Sequence, residues 1–141
     1  MRDGIRNRWR GRCVVSEVRR LVARWLQRFS CALRGLGYVL WREPCGRVHG
    51  VALGMVVVLG LWLGLGAMEW GLLALAAGGV VAAEALNTAV ERLADRVSGE
   101  REEAIRLVKD VAAGGVLAAT LGAVAVGGLV LGPRVWEKIF G

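Results

Sequence analysis

Three long stretches of this chain carry no Lys, Arg, Asp or Glu: residues 48–68, 70–83 and 111–132. The first and the third hold twenty-one and twenty-two residues, enough for a helix to cross a hydrocarbon core of about 30 Å. The second is shorter, but helical polarity continues past it through the run EALNTAVERLAD. The pattern therefore predicts three membrane spans at about residues 48–68, 70–97 and 107–132. Glu69 and Trp70 are expected to form the tight connection between the first two, and residues 98–103, SGEREE, a polar turn before the third. Pro133 is expected to end the third span, with Trp136 and Lys138 anchoring a short tail at the interface.

Before the spans the pattern changes. Val14, Val15, Val18, Leu21, Val22, Trp25 and Leu26 recur at roughly helical spacing among arginines. This predicts an amphipathic helix lying in the membrane interface, after a first dozen residues that read as a disordered basic arm. A second amphipathic piece follows, with Phe29, Ala32, Leu33, Leu36, Val39 and Leu40 on its apolar face. Pro44 should break or restart the helix just after Glu43. The expected organisation is a basic arm over 1–23 and one all-α membrane domain over 24–141.

Composition agrees with the pattern and adds an orientation. Hydrophobic residues make up 55% of 141 residues, which is high for a soluble chain and long enough for a single domain. Residues 1–47 hold twelve Arg against Asp3, Glu17 and Glu43, a balance of +9. A basic end beside apolar spans reads as a cytoplasmic segment facing anionic lipid, not as a nucleic-acid surface. Three spans then put the 98–103 turn in the cytoplasm and the C-terminus outside. Cys13, Cys31 and Cys45 are too widely spaced for a metal knuckle and read as free thiols. The first twenty residues lack the apolar core of a secretory signal. Gly50/Gly54, Gly60/Gly64 and Gly128/Gly132 form GxxxG pairs, which permit close packing between copies of the chain.

The candidate chemistry lies where the second uncharged stretch ends. At about 100° per residue, Glu84, Asn87, Glu91 and Asp95 share one helix stripe. With a rise of about 1.5 Å per residue, Glu84 lies roughly 21 Å past Trp70 and Glu91 roughly 31 Å past it. Glu84 is thus inside the hydrocarbon and Glu91 at its edge. An ionisable group at that depth costs at least a few kcal/mol and is kept mainly to bind an ion, a substrate or a partner charge. Carboxylates a turn or two apart, an amide between them and Lys109–Asp110 on the next helix are the parts phosphoryl transfer needs: oxygen ligands for Mg²⁺, a cation for phosphate, a base for a hydroxyl. The chain has no Walker A loop and no HRD or DFG motif, so soluble kinase folds do not apply. The same residues also suit a structural network pairing Glu84 with Lys109, or a proton or ion path.

The run Glu84-Ala-Leu-Asn87-Thr-Ala-Val-Glu91, then Asp95, then Lys109-Asp110, resembles the signature of the small prokaryotic integral-membrane kinases, the diacylglycerol kinase and undecaprenol kinase family. Upstream, Phe29, Ala32, Gly35, Glu43, Arg47 and His49 resemble that family's F-xx-A-xx-G and E-xxx-R-x-H patterns. In all, the resemblance covers about residues 24–132. It implies a homotrimer of helices in the cytoplasmic membrane, with sites shared between neighbouring subunits, that moves the γ-phosphoryl group of ATP, with Mg²⁺, onto a membrane lipid alcohol.

Position by position, the resemblance implies Glu84 as the catalytic base and Glu43 and Glu91 as metal ligands. Arg24 or Arg28, Asn87, Glu100, Glu102, Lys109 and Asp110 fall on the nucleotide side. Arg47, His49 and Glu84 fall on the lipid side. Arg47-x-His49 resembles the undecaprenol branch somewhat more than the diacylglycerol branch. Two of these residues keep a plainer reading: Glu43 as a surface carboxylate ahead of Pro44, and His49 as a residue packed at the membrane edge. Cys31, Gly46 and Ala113 depart from the family pattern, Gly46 standing where an aromatic or large residue is usual.

Overall fold

The computed structural model describes residues 3–97 and 103–141. Helices α1 (Asp3–Arg42), α2 (Pro44–Leu63), α3 (Ala67–Val97) and α4 (Glu103–Phe140) follow one another. The chain divides into two compact units, Met1–Gly35 and Leu36–Gly141. In the first unit, Leu21, Val22, Trp25, Leu26, Phe29 and Leu33 are all exposed. The helix begins at Asp3 and takes in the expected disordered arm; arginine is a good helix former, and no proline interrupts the stretch. The two amphipathic pieces expected from the pattern are accordingly one helix.

The second unit is built on a corner at Glu43. A residue before proline is pushed out of the helical region, and Glu43 is extended, with φ −84° and ψ 134°. Pro44 then starts α2, where its fixed φ suits the first helical position and its missing N–H costs nothing. The predicted break is observed. The corner closes so tightly that a Cβ on Gly46 would lie 2.1 Å from the Val39 carbonyl oxygen, and Val39 is buried.

The α2–α3 connection differs from expectation: it lies at residues 64–66, not at Glu69–Trp70. Gly64 adopts the left-handed conformation at φ 69°, and the Leu65 N–H reaches back to the Gly60 carbonyl at 3.2 Å, closing α2 with a glycine cap. The charge of Glu69 marks a helix start. Its carboxylate accepts the Gly66 N–H at 2.7 Å, the reach-back half of a capping box. The same carboxylate takes two bonds from Arg134, at 2.8 and 3.1 Å. This pair ties α3 to α4 just beyond Pro133, and α4 continues through that proline to Phe140. Pro133 therefore does not end the helix. The missing hydrogen bond is tolerated where a neighbouring element holds the next turn, here Glu69 of α3 on Arg134.

Helices α3 and α4 pack along each other, and α2 lies against both. Leu65, Leu73 and Val130 form the core near the α2–α3 turn. Along α3 the inward stripe runs Leu73, Val80, Glu84, Thr88 and Ala94, so one buried face changes from apolar to polar at Glu84. All three helices α2, α3 and α4 are long and apolar enough to cross a membrane. Only 11%, 22% and 6% of their most apolar windows are buried within the chain; the remaining apolar faces suit lipid or other copies of the chain.

Candidate active site

The site grows from the point where α3 turns polar. Glu84 is only 4% exposed, and its Oε1 lies 2.9 Å from Nδ1 of His49 on α2. Nδ1 is buried and has no aligned hydrogen-bond partner, so the contact with the carboxylate is one of proximity. On its other side, His49 Nε2 lies 3.5 Å from the Thr120 hydroxyl of α4. The three helices thus each contribute one polar group at one level. Glu84 has His49 as its neighbour, while Lys109 pairs with Asp95; the alternative pairing of Glu84 with Lys109 is not formed.

One helical turn further, Asn87 Nδ2 donates to Glu91 Oε1 at 3.0 Å. The Asn87 carbonyl oxygen is buried without a partner, a state that costs about 1–3 kcal/mol unless a ligand or water completes it. Across the α1–α2 corner, Arg92 donates to Glu43 Oε1 at 3.0 Å and to the Tyr38 hydroxyl. Its guanidinium sits 4.5 Å from the Tyr38 ring centroid. Glu43, Thr88, Glu91, Arg92, Asp95 and Arg96 line an open polar cavity of about 460 Å³. Beyond His49 and Thr120, a second cavity of about 210 Å³ opens between α2, α3 and α4; His49 and Thr120 are its polar residues and the rest of its lining is Ala, Val, Leu and Gly.

Of the residues expected at the site, Glu43 and Glu91 line the polar cavity, Asn87 is bonded to Glu91, Lys109 is bonded to Asp95 of the same cavity, and Glu84 meets His49; others are separated. Asp110 points away from Lys109 and lies 3.8 Å from Arg106 on its own helix. Arg47 faces a different groove, with Pro44, Val48, Val51 and Met55, because residues two apart on a helix point in nearly opposite directions. Arg24 and Arg28 are exposed on α1 in the first unit, with Arg28 5.9 Å from the Trp25 ring centroid. Glu100 and Glu102 lie outside the described residues. Among the described residues, no three His, Cys, Asp or Glu side chains converge.

Sequence reading missed Tyr38, Thr88, Arg92, Arg96 and Thr120. Thr120 left a signal, being the one polar side chain between residues 111 and 132. Arg92 left none, because its partners are 49 and 54 positions away.

Three helices long and apolar enough to cross a membrane, with a buried carboxylate on the stripe between an apolar and a polar cavity, suit a membrane protein that handles a molecule with one apolar and one polar part. The profile of the prokaryotic diacylglycerol kinase family matches residues 30–131, and the chain belongs to that family of lipid kinases. It is 29% identical over 112 residues to the undecaprenol kinase of Bacillus subtilis, covering 79% of this chain and 91% of that protein. It is 36% identical over 106 residues to the diacylglycerol kinase of Synechocystis sp., covering 74% of this chain and 61% of that one.

Proposed function

We propose that this chain phosphorylates the hydroxyl of a membrane lipid alcohol with ATP, undecaprenol ahead of diacylglycerol. The observation that carries the reading is Glu84: a buried carboxylate, in contact with His49, one helical turn past Val80 of the apolar cavity and one turn before Thr88 of the polar one. Both relatives are named as kinases of lipid alcohols, and the polyprenol is favoured because Arg47-x-His49 resembles that branch. In the reaction the lipid hydroxyl oxygen attacks the γ-phosphorus. The new O–P bond forms as the bond to the β-γ bridging oxygen breaks, ADP leaves, and the hydroxyl proton passes to Glu84.

Glu43 and Glu91 would hold a Mg²⁺ ion, which when bound shields the phosphate charge. The donor set fits that ion: two carboxylates on one open cavity leave room for water and phosphate oxygens, as magnesium sites do. Arg92 and Asn87 each engage Oε1 of their carboxylate, so the second oxygens are not used by those bonds. Lys109 supplies positive charge at the cavity rim, with Arg24, Arg28, Glu100, Glu102 and Asp110 as further nucleotide-side candidates. His49 and Arg47 are the lipid-side candidates.

The basic N-terminal half suits the cytoplasmic face of the inner membrane, with the site on that face and the C-terminus outside. A homotrimer fits the open faces at Gly50, Gly54, Gly128 and Gly132, where an added Cβ would meet nothing within the chain. The test is transfer of ³²P from ATP in mixed micelles offered undecaprenol and diacylglycerol separately. Failure to phosphorylate any lipid alcohol overturns the reading; preference for diacylglycerol overturns only the choice between substrates.

A further inference from the structure

Glu43 stands at the N-cap position of α2, where a polar side chain normally turns back onto the first free N–H groups of the helix. Its side chain makes no such capping bond. The carboxylate instead accepts a hydrogen bond from Arg92 of α3 at 3.0 Å. Arg92 is in turn held by the last turns of α1: its guanidinium sits 4.5 Å from the Tyr38 ring centroid and donates to the Tyr38 hydroxyl. Both bonds leave from Nη2 and occupy its two N–H groups. We propose that Tyr38 and Arg92 form a brace that aims the Glu43 carboxylate at the polar cavity, with Arg92 a positioning residue for phosphoryl transfer. The inference rests on the lipid-kinase reading and assigns the group that orders one of its candidate metal ligands.

Two observations separate this contact from an ordinary surface ion pair. The first is place. Glu43, Glu91 and Arg92 line the same cavity, and the two candidate ligands are held alike: Asn87 takes Oε1 of Glu91 and Arg92 takes Oε1 of Glu43, each at 3.0 Å. The second is exposure. The Arg92 side chain is 59% exposed and that of Glu43 25%, and a pair this open to water adds little to the stability of a fold. What the bond fixes is direction. A glutamate carboxylate ends a flexible side chain, and holding it in place beforehand removes the ordering cost of binding. Partners that orient ligating groups are worth on the order of 10–100-fold in metal affinity. Charge alone predicts the opposite sign, because taking a cation out of the cavity would draw a divalent ion in.

The test uses the full-length protein in mixed micelles, with trinitrophenyl-ATP as the fluorescent probe and Mg²⁺ as the titrant. Arg92→Gln should raise the Mg²⁺ concentration for half-maximal probe binding about tenfold. Tyr38→Leu changes no charge, removes both the ring and the hydroxyl that hold Arg92, and should raise it about fivefold. In a Glu43→Gln background, adding Arg92→Gln should change it by less than about twofold, because the group being aimed is gone. The KM for the lipid alcohol should stay within about twofold of wild type in both single variants. Four results overturn the brace: Arg92→Gln that lowers the Mg²⁺ requirement, Tyr38→Leu that leaves it unchanged, an Arg92 effect that persists in full without the Glu43 carboxylate, or a lipid KM that moves as far as the Mg²⁺ requirement. Tyr38→Leu decides the matter if Arg92→Gln fails to fold. A wild-type protein that phosphorylates no lipid alcohol brings down the kinase reading itself; one that does so, beside variants with the wild-type Mg²⁺ requirement, brings down only the brace.

Discussion

Replacing Gly46 with alanine tests whether the α1–α2 corner sets the geometry of the polar cavity. The new Cβ would stand 2.1 Å from the Val39 carbonyl oxygen, 2.8 Å from its carbonyl carbon and 3.3 Å from the Leu40 Cα. Ordinary contact needs more than 3 Å, and all three neighbours are backbone, so no side chain can swing aside. The corner must open by about 1 Å, and forcing one methyl group into such packing costs typically 1–3 kcal/mol. Glu43 lies three residues earlier and holds Arg92 at 3.0 Å, so it moves with the corner. Misplacement by about 1 Å of a group that positions a substrate can cost on the order of 10²-fold. We therefore expect Gly46→Ala to lower the thermal midpoint in detergent and to raise the Mg²⁺ concentration needed for half-maximal phosphoryl transfer at least several-fold. A variant that unfolds with the wild-type midpoint and shows the wild-type Mg²⁺ dependence would refute the packing argument. A lowered midpoint with unchanged Mg²⁺ dependence would separate the corner from the proposed metal site.

Three further outcomes follow from the geometry. Glu84→Gln keeps volume and polarity but removes the proton acceptor we propose, so turnover should fall about 10²–10⁴-fold while the binding of a fluorescent ATP analogue persists; loss of binding would reassign Glu84. Glu91→Gln removes a charge from the polar cavity and should weaken Mg-ATP binding, read by Mg²⁺ titration of that same fluorescence, whereas unchanged binding would remove Glu91 from the ligand set. Arg134→Gln breaks both bonds to Glu69 and should lower the thermal midpoint while leaving the KM for both substrates near wild type; a large KM effect would show that the α3–α4 tie reaches the site.

Much of the architecture was legible because hydropathy acts locally. Long uncharged runs must bury their backbone hydrogen bonds in a helix within a membrane, so the first and third spans could be read off directly, the second from its shorter run and the helical stripe that continues it, and the break from Pro44. The acidic stripe was legible for the same reason: a helix has one period, and Glu84, Asn87 and Glu91 must share a face. What the chain order could not give were events decided by neighbours distant in sequence. Glu69 looked like a boundary charge until Gly64 capped α2 and Arg134 came within reach; Pro133 looked like a stop until that same contact held the turn beyond it. Gly46 looked like a departure from a family pattern, and the fold shows it as a necessity of the Val39 contact. Local composition and periodicity suffice for the helices, their membrane class and the carboxylates available for chemistry. That His49 and Thr120 meet near Glu84, that Arg92 takes Glu43 and that Lys109 takes Asp95 follows from packing, because partner choice depends on which faces α2, α3 and α4 turn to one another.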